Sequence, residues 1–311
     1  RDGLYTNAVY GFVTTLQRLL EEEAPEALCV TFDRREPTFR HLEYEGYKAQ
    51  RKGMPEELAQ QMPVLKEVLD AMDVPRYELA GYEADDLIGT ISRKCEDAGW
   101  ECVAVTGDKD SLPLVTDRTR VKLVSTRMGQ TTTKDMTPAT FREAYGFDPI
   151  HIIDLKALMG DASDNIPGVK GVGEKTAMAL VQRYQTIDAL YAAMPDIEAR
   201  PAMVKKLAEG EESARMSYHL ATIVTDAPLD FDPGANLRRP VKPELRQIFL
   251  RLEFNKLLEK MDLTEAAAPA AVEQEEREHI THVEVVETWE QAQRMLEAFR
   301  RADHVALLAL P

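Results

Sequence analysis

The chain has 311 residues, of which 44% are hydrophobic and 30% are charged. This composition excludes wholesale disorder, a collagen-like fold and a bundle of membrane helices. At about 150 residues per domain, the length predicts roughly two domains. The net charge of −16 weighs against a nucleic-acid partner, unless many of the acids belong to a metal cluster that neutralises them.

The N-terminus and the cysteines indicate the cellular compartment. The opening stretch RDGLYTNAVYGF has no charged-then-apolar targeting segment and no Met, so we expect the chain to begin inside a longer reading frame. Cys29, Cys95 and Cys102 form no CxxC pair. This pattern predicts reduced structural thiols in a cytosolic protein.

The first part of the chain alternates between helical and strand patterns. In chain order, the predicted elements are a helix over 9–23, a buried strand over 27–33 (ALCVTFD), a polar and basic stretch over 34–53, a helix over about 55–72, a helix that opens with EADD at 83–86, and a strand with a polar turn over 101–110 (ECVAVTGDKD). Such alternation is typical of a parallel α/β sheet.

The pattern turns helical from about 137 to 262 and includes a long last helix through ELRQIFLRLEFNKLLEKM. The following stretch over 263–279 is rich in Ala and Glu, which predicts a solvated linker. Residues 280–311 then have a strand, helix and strand pattern that is too short for a domain. We therefore expect this last unit to be the truncated start of a further domain.

Acidic residues follow the predicted strands or open the adjoining helices, and the ligand site of an open α/β sheet lies beyond the carboxyl ends of its strands. These candidate metal ligands are Asp33, Glu83, Asp85, Asp86, Asp108, Asp110, Asp161 and Asp164. An extended backbone would place Asp108 and Asp110 on one side. Oxygen-only ligands suit two Mg²⁺ or Mn²⁺ ions, which can promote hydrolysis of a phosphodiester. Taken singly, each acidic motif also fits a helix cap or a polar turn.

A glycine-rich stretch, NIPGVKGVGEKTA, occupies residues 165–177. It fails the P-loop pattern because Glu174 intrudes before Lys175, and it fails the dinucleotide pattern because Thr176 replaces the last glycine. We predict two helices joined by a tight turn, in which Gly171 and Gly173 permit close backbone approach. The amides that open the second helix, with Lys170 and Lys175, could hold a phosphate.

Basic and aromatic residues are interleaved over 34–52, among them Arg40, Tyr47, Lys48 and Arg51. This mixture suits single-stranded backbone and stacked bases. A solvated loop with minor packing is the alternative.

The stretches FDRREPTFRHLEYEGYKAQR, GYEADDLIGT, TGDKDSLPLV and GDASDNIPGVKGVGEKTA, in this order and spacing, resemble the flap endonuclease family. Within it they are most similar to the N-terminal 5′→3′ exonuclease domains of bacterial DNA polymerase I enzymes. The resemblance covers about residues 3–262. It implies a PIN-like parallel-sheet nuclease core over 1–136, followed by a helix–hairpin–helix module over 137–262.

The resemblance also implies roles for individual residues. Lys48 and Arg40 would be catalytic, with Lys48 stabilising the negative charge that develops at the scissile phosphate. The eight carboxylates named above would hold two divalent ions, and main-chain oxygens of the hairpin would hold K⁺. The implied DNA contacts are Tyr47, Arg51, Lys170, Gly171, Gly173, Lys175 and Thr176.

Two departures from the family pattern leave an alternative open. The family begins with a strand that ends in Asp, and this chain lacks that strand and its metal ligand. Residues 280–311 resemble the opening of a 3′→5′ exonuclease domain, but Leu308 and Leu310 stand where its acids would be, so we expect no activity there. A catalytically impaired module that binds nicked DNA is therefore the main alternative, and a PIN-class ribonuclease is another.

The expected function is two-metal hydrolysis at 5′ ends and flaps during primer removal, nick translation and repair. The expected partners are DNA with a 5′ flap, a nick or an RNA primer. We expect a monomer in the bacterial cytoplasm that is continuous with a polymerase domain and has no membrane association.

Overall fold

The computed structural model describes residues 3–127, 130–194, 196–197, 200–264 and 293. The chain divides into a unit over 1–264 and a second unit over 265–311. The strand, helix and strand pattern predicted for 280–311 lies outside the described residues except for residue 293, and so do Leu308 and Leu310. Most of the predicted linker over 263–279 lies outside them as well. Among the described helices, none combines the length and apolarity that are needed to cross a bilayer.

The helices and strands of the first unit follow one another from the N-terminus. The helices are α1 Asn7–Glu23, α2 Phe39–Glu43, α3 Glu56–Ala59, α4 Gln61–Ala71, α5 Ala84–Asp97, α6 Pro138–Tyr145, α7 Ile152–Met159, α8 Glu174–Tyr184, α9 Ile187–Ala192, α10 Pro201–Glu209, α11 Glu211–Ala221, α12 Glu244–Arg251 and α13 Asn255–Lys260. The strands are β1 Val30–Thr31, β2 Arg76–Tyr77, β3 Cys102–Thr106, β4 Thr119–Arg127 and β5 Gln130–Met136.

The described strands form two small sheets. β1 and β2 pair in parallel, and β3 pairs in parallel with β4, which in turn pairs antiparallel with β5. Helix α5 packs against both β1 and β3. The predicted α/β core is therefore confirmed, although its second sheet is mixed and not purely parallel.

Some local predictions were wrong. Only Val30 and Thr31 of the predicted strand over 27–33 pair as a strand. The DKD segment is not extended, because residues Lys109–Leu114 form a 3₁₀ helix in which the Asp110 amide donates to the Asp108 side chain. The antiparallel hairpin of β4 and β5 was not predicted at all. Exposure alternates along β5, but its residues are polar up to Met136, which is the only buried one.

Helices α6 to α11 enclose the largest hydrophobic cluster, which includes Phe141, Leu158 and Leu190. As predicted, two helices, α7 and α8, are joined by a glycine-rich turn over 160–173. Gly160 and Gly168 have positive φ, and their backbones touch so closely that a Cβ on Gly168 would lie 2.2 Å from the Gly160 nitrogen. Only glycine fits this crossing.

The predicted long last helix is broken into α12 and α13. The chain turns between them at Glu253, which has a φ of 59°, and Phe254 then fills the core. Both helices share a hydrophobic cluster with α1 and α4, against which Val30 of β1 also packs. The C-terminal helices of the predicted helical module therefore complete the core of the N-terminal part.

Candidate active site

Helix α5 begins at the edge of the sheets where β1 and β3 end, and its first turn organises the acids. Glu83 is its N-cap residue, and the Glu83 amide donates to the Asp86 carboxylate over 3.0 Å. Asp33, two residues after β1, accepts a 2.7 Å hydrogen bond from the Ala84 amide. The carboxylates thus satisfy the free amides and the positive end of the helix dipole.

Asp85 lies among other acids at this edge. Burial raises the pKa of its carboxyl to about 6, and the neighbouring Asp108 carboxylate adds to the shift. Asp33 and Glu83 raise this pKa further, against a hydrogen bond from Ser111 that favours the ionised form. The sequence-predicted acids of three separate segments therefore come within electrostatic reach of one another.

A half-buried lysine joins the next two acids. Lys156, on α7, forms ion pairs with Asp110 and, at 2.7 Å, with Asp161. Burial opposes ionisation of Asp161, but hydrogen bonds from Lys156 and Ser163 outweigh it and lower the Asp161 pKa to about 2. Asp110 has a raised pKa because burial outweighs the attraction of Lys156. Lys156 thus holds Asp110 and Asp161 together across the start of the glycine-rich turn.

Asp86 and Arg40 have a different environment from the one that the sequence predicted. Both side chains are buried, and the Arg40 guanidinium donates to the two Asp86 oxygens at 2.7 Å each. The Glu83 and Val224 amides supply a second hydrogen bond to each oxygen. Asp86 therefore has no oxygen left for a metal ion in this arrangement, and Arg40 does not face a phosphate.

The residues that follow α2 form a strap, defined here as 44–51, that lies over Glu83 and Asp164. The Lys48 ammonium donates to Glu83 over 2.6 Å and lies 3.7 Å from Asp164. Arg51 pairs with the other Asp164 oxygen. The buried Tyr47 hydroxyl donates to both acids, and burial next to these carboxylates raises the Tyr47 pKa, so it stays a neutral donor.

The donor set fits hard divalent cations in its chemistry, since oxygen-only carboxylate groups suit Mg²⁺ and Mn²⁺. The raised pKa of Asp85 indicates excess negative charge that a cation would relieve. Among the described residues, however, no group of three acidic, histidine or cysteine side chains is already arranged to hold a metal ion. Lys48, Arg51 and Lys156 hold several of these carboxylates instead.

The glycine-rich turn presents the second group of predicted residues. Lys170, Gly171, Gly173 and Lys175 are exposed, and neither lysine forms an ion pair with another described residue. Helix α8 begins at Glu174, directly after Gly173, whereas Thr176 is half-buried in its first turn. The turn therefore offers free helix amides and positive charge at one surface, which is a suitable arrangement for a phosphate.

Sequence reasoning missed three side chains of these sites. Lys156 and Ser111 contact the acids, and Lys206 of α10 lies against the glycine-rich turn near Gly171. Lys156 carried the only usable signal, because it is a lysine in the otherwise apolar helix IIDLKALM. Lys206 approaches from a helix too distant in sequence to be assigned to the turn.

Comparison with protein-family models gives two matches along the chain. Residues 1–146 match the 5′-3′ exonuclease N-terminal resolvase-like domain, and residues 147–244 match the 5′-3′ exonuclease C-terminal SAM fold. The sequence is 43% identical over 267 residues to DNA polymerase I of Bacillus subtilis, covering 86% of this chain and 30% of that protein. The chain thus spans about a third of the length of this curated relative.

Solved structures share the fold. "Divalent metal ions (zinc) bound to T5 5′-exonuclease" superposes with a TM-score of 0.59 at 21% identity and covers 83% of this chain and 91% of that one. The catalytic core of Rad2 in complex with a DNA substrate gives 0.54 at 15% identity, covering 84% and 86%.

The family models and the sequence relatives agree on a nuclease, and they do not favour the impaired binding module that the sequence left open. The chain belongs to the 5′-3′ exonuclease family, with a resolvase-like N-terminal domain followed by a C-terminal SAM fold.

Proposed function

We propose that this chain is the 5′→3′ exonuclease and flap endonuclease part of a bacterial DNA polymerase I. Its substrates would be 5′ ends and flaps on duplex DNA, including those left by RNA primers and by repair. The observation that carries the proposal is the convergence of Asp33, Glu83, Asp85 and Asp108 at one edge of the sheets, where burial, followed by repulsion from Asp108 and its neighbours, raises the Asp85 pKa to about 6.

Two divalent ions, Mg²⁺ or Mn²⁺, would bind to Asp33, Glu83, Asp85, Asp108, Asp110, Asp161 and Asp164. When bound, such ions can polarise the phosphodiester and lower the pKa of a water molecule. Asp86 would not bind an ion itself, because Arg40 and two amides already occupy its oxygens. It would instead hold the start of α5, and with it Glu83 and Asp85, in position. T5 5′-exonuclease, a structural neighbour, has bound divalent ions, which agrees with this assignment.

The protein's own cations would bind and orient the DNA. Lys48 and Arg51 pair with Glu83 and Asp164 and would exchange these partners for the scissile phosphate when DNA binds. The hydrogen bond from Tyr47 to Glu83 would hold the strap in position. The glycine-rich turn would hold the downstream duplex through the amides after Gly173 and through Lys170 and Lys175. K⁺ on main-chain oxygens of this turn remains part of the proposal.

The wider setting follows from the relatives, which are bacterial DNA polymerase I enzymes. We propose that the whole protein is a monomer of the bacterial cytoplasm, in which this nuclease is continuous with a polymerase domain. The nuclease would remove the strand ahead of the polymerase during nick translation.

Cleavage of a labelled 5′-flap duplex by the full chain tests this function. We expect cleavage in Mg²⁺ and none in EDTA, and Asp108→Ala should abolish cleavage while DNA affinity is retained. Asp117→Ala is the matched control, because Asp117 is exposed at the start of β4, the end remote from Asp108. Cleavage by Asp108→Ala at the wild-type rate would remove the DKD segment from the site, and an intact flap in saturating Mg²⁺ would refute the function.

A further inference from the structure

The hairpin of β4 and β5 extends past the edge of its sheet. Strand β3 ends at Thr106, which pairs with Leu123, yet β4 continues through Val124 to Arg127. At about 3.3 Å per residue, these additional residues project roughly 13 Å beyond the end of β3. Asp108 lies two residues after β3. The projecting part of the hairpin therefore stands at the edge of the sheets that carries Asp33, Glu83, Asp85 and Asp108, called here the carboxylate edge.

The charge of this segment is unlike that of the chain as a whole. Residues 118–134 contain the bases Arg118, Arg120, Lys122, Arg127 and Lys134 and no acid, in a chain whose net charge is −16. Arg120 and Lys122 are neutralised at the base of the hairpin by Glu23 and Asp135. Arg127 and Lys134 are exposed, and neither has an ion-pair partner among the described residues.

The register collects the exposed polar residues on one face. Arg127 pairs with Gln130, Ser125 with Thr132, and Leu123 with Lys134, so all six residues share a side of the hairpin. We call the exposed members of this side the hairpin face, which consists of Ser125, Arg127, Gln130, Thr132 and Lys134. Two unpaired cations among hydroxyl and amide groups suit a phosphate backbone and offer no apolar anchor for a protein partner.

We propose that the hairpin face is a second DNA-binding surface, which contacts the phosphodiester backbone beside the carboxylate edge. Arg127 and Lys134 supply the charge, and the hydroxyl and amide groups supply hydrogen bonds that do not depend on base sequence. This inference rests on the proposed function, since it requires DNA at the carboxylate edge. It adds to the glycine-rich turn a contact that comes from the sheet.

Binding measured by fluorescence anisotropy in EDTA, which keeps the DNA intact, tests the surface. We expect Arg127→Gln/Lys134→Gln to bind a 5′-flap duplex roughly tenfold more weakly at moderate salt, with a salt slope that is smaller by about 2. The control is Arg118→Gln/Arg239→Gln, which removes the same charge from two exposed cations that lie away from the hairpin face. It should keep the wild-type salt slope. Thr132→Glu should weaken binding by repulsion.

Two probes locate the contact. The first probe is a 5′-flap DNA with an upstream duplex, and the second is a 5′-overhang duplex that lacks it. A loss of affinity for the first probe alone assigns the hairpin face to the upstream duplex. An equal loss for both probes assigns it to the duplex that they share. A double variant that matches its control in affinity and slope on both probes would overturn the inference. If the wild-type chain binds neither probe, the proposed function fails, and the hairpin contact fails with it.

Discussion

The Arg40 guanidinium connects three separate parts of the chain. It pairs with Asp86 at the start of α5, and it donates to the carbonyl oxygens of Leu220 and Thr222 at the end of α11. Residues 39 and 40 also belong to α2, which leads into the strap. A single buried side chain thereby fixes the acids, the strap and the C-terminal SAM fold relative to one another.

Arg40→Ala should therefore destabilise the protein strongly. It leaves the buried Asp86 carboxylate without its cation, and losing one partner of a buried ion pair costs about 3–5 kcal/mol. Equilibrium unfolding in urea measures this loss. Arg34→Ala is the control, because Arg34 forms an ion pair with Glu36 that is exposed to solvent and adds little to stability.

A second substitution tests whether the unpaired Asp86 charge causes the lost stability. In Arg40→Ala/Asp86→Leu the buried charge is gone, so part of the lost stability should return. Similar losses for Arg40→Ala and Arg34→Ala would show that Arg40 does not hold these elements together.

At this scale the sequence predicted which acids lie at the site but not what each of them contacts. Asp33 and Asp108 were predictable because they follow strands. Asp86 was grouped with them by its helical spacing, yet that spacing directs it inward to Arg40. Partners such as Lys156 and Val224 come from distant segments, and no local pattern specifies such pairings.

The glycine-rich turn shows how an element depends on backbone contact. Gly168 has a φ of 60°, its amide donates to the Ser217 hydroxyl and its carbonyl accepts from Ser213. Helix α11 therefore holds the turn from behind, while Lys170 and Gly171 stay exposed in front. The close crossing at Gly160 positions the start of α8.

Gly168→Ala should destabilise the protein and weaken duplex binding together. Its Cβ would overlap the Gly160 backbone, and positive φ alone costs a non-glycine residue about 1–3 kcal/mol. Gly173→Ala is the matched control for stability alone, because Gly173 has a φ of −98° and nothing lies within 4 Å of a Cβ there. Urea unfolding and anisotropy measure the two effects, and equal stability of both variants would contradict this account of the turn.

Elements with strong periodicity or capping were predictable, and those decided by tertiary packing were not. Helices α1 and α5 have an apolar face, and α5 begins at its EADD motif. The break between α12 and α13 left no sequence signal, because RLEFNKLL contains neither Gly nor Pro. Burial of Phe254 and Leu257 against α1 and α4 decides that turn.

Across the whole molecule, stability and cation binding are coupled through the carboxylate edge. The pKa of Asp85 is raised from 3.8 to about 6, so the folded state holds its proton more tightly than the unfolded state does. Asp85 therefore favours folding below its unfolded pKa, and this contribution is lost as the pH rises through about 6. Above that pH the folded protein carries a buried Asp85 carboxylate that Asp108 repels, and a bound divalent ion would offset both costs.

Mg²⁺ should consequently raise the Tm by several degrees at about pH 8 and by much less at about pH 5, where Asp85 is protonated. Thermal unfolding of the full chain with and without Mg²⁺ measures this difference. Asp108→Asn should lose most of the rise at the higher pH, because it removes both a ligand and the carboxylate that most strongly repels Asp85. The control is Asp117→Asn, which changes an acid just before β4, remote from Asp108, and should keep the rise in Tm. Equal rises at both pH values would exclude Asp85 from the cation site.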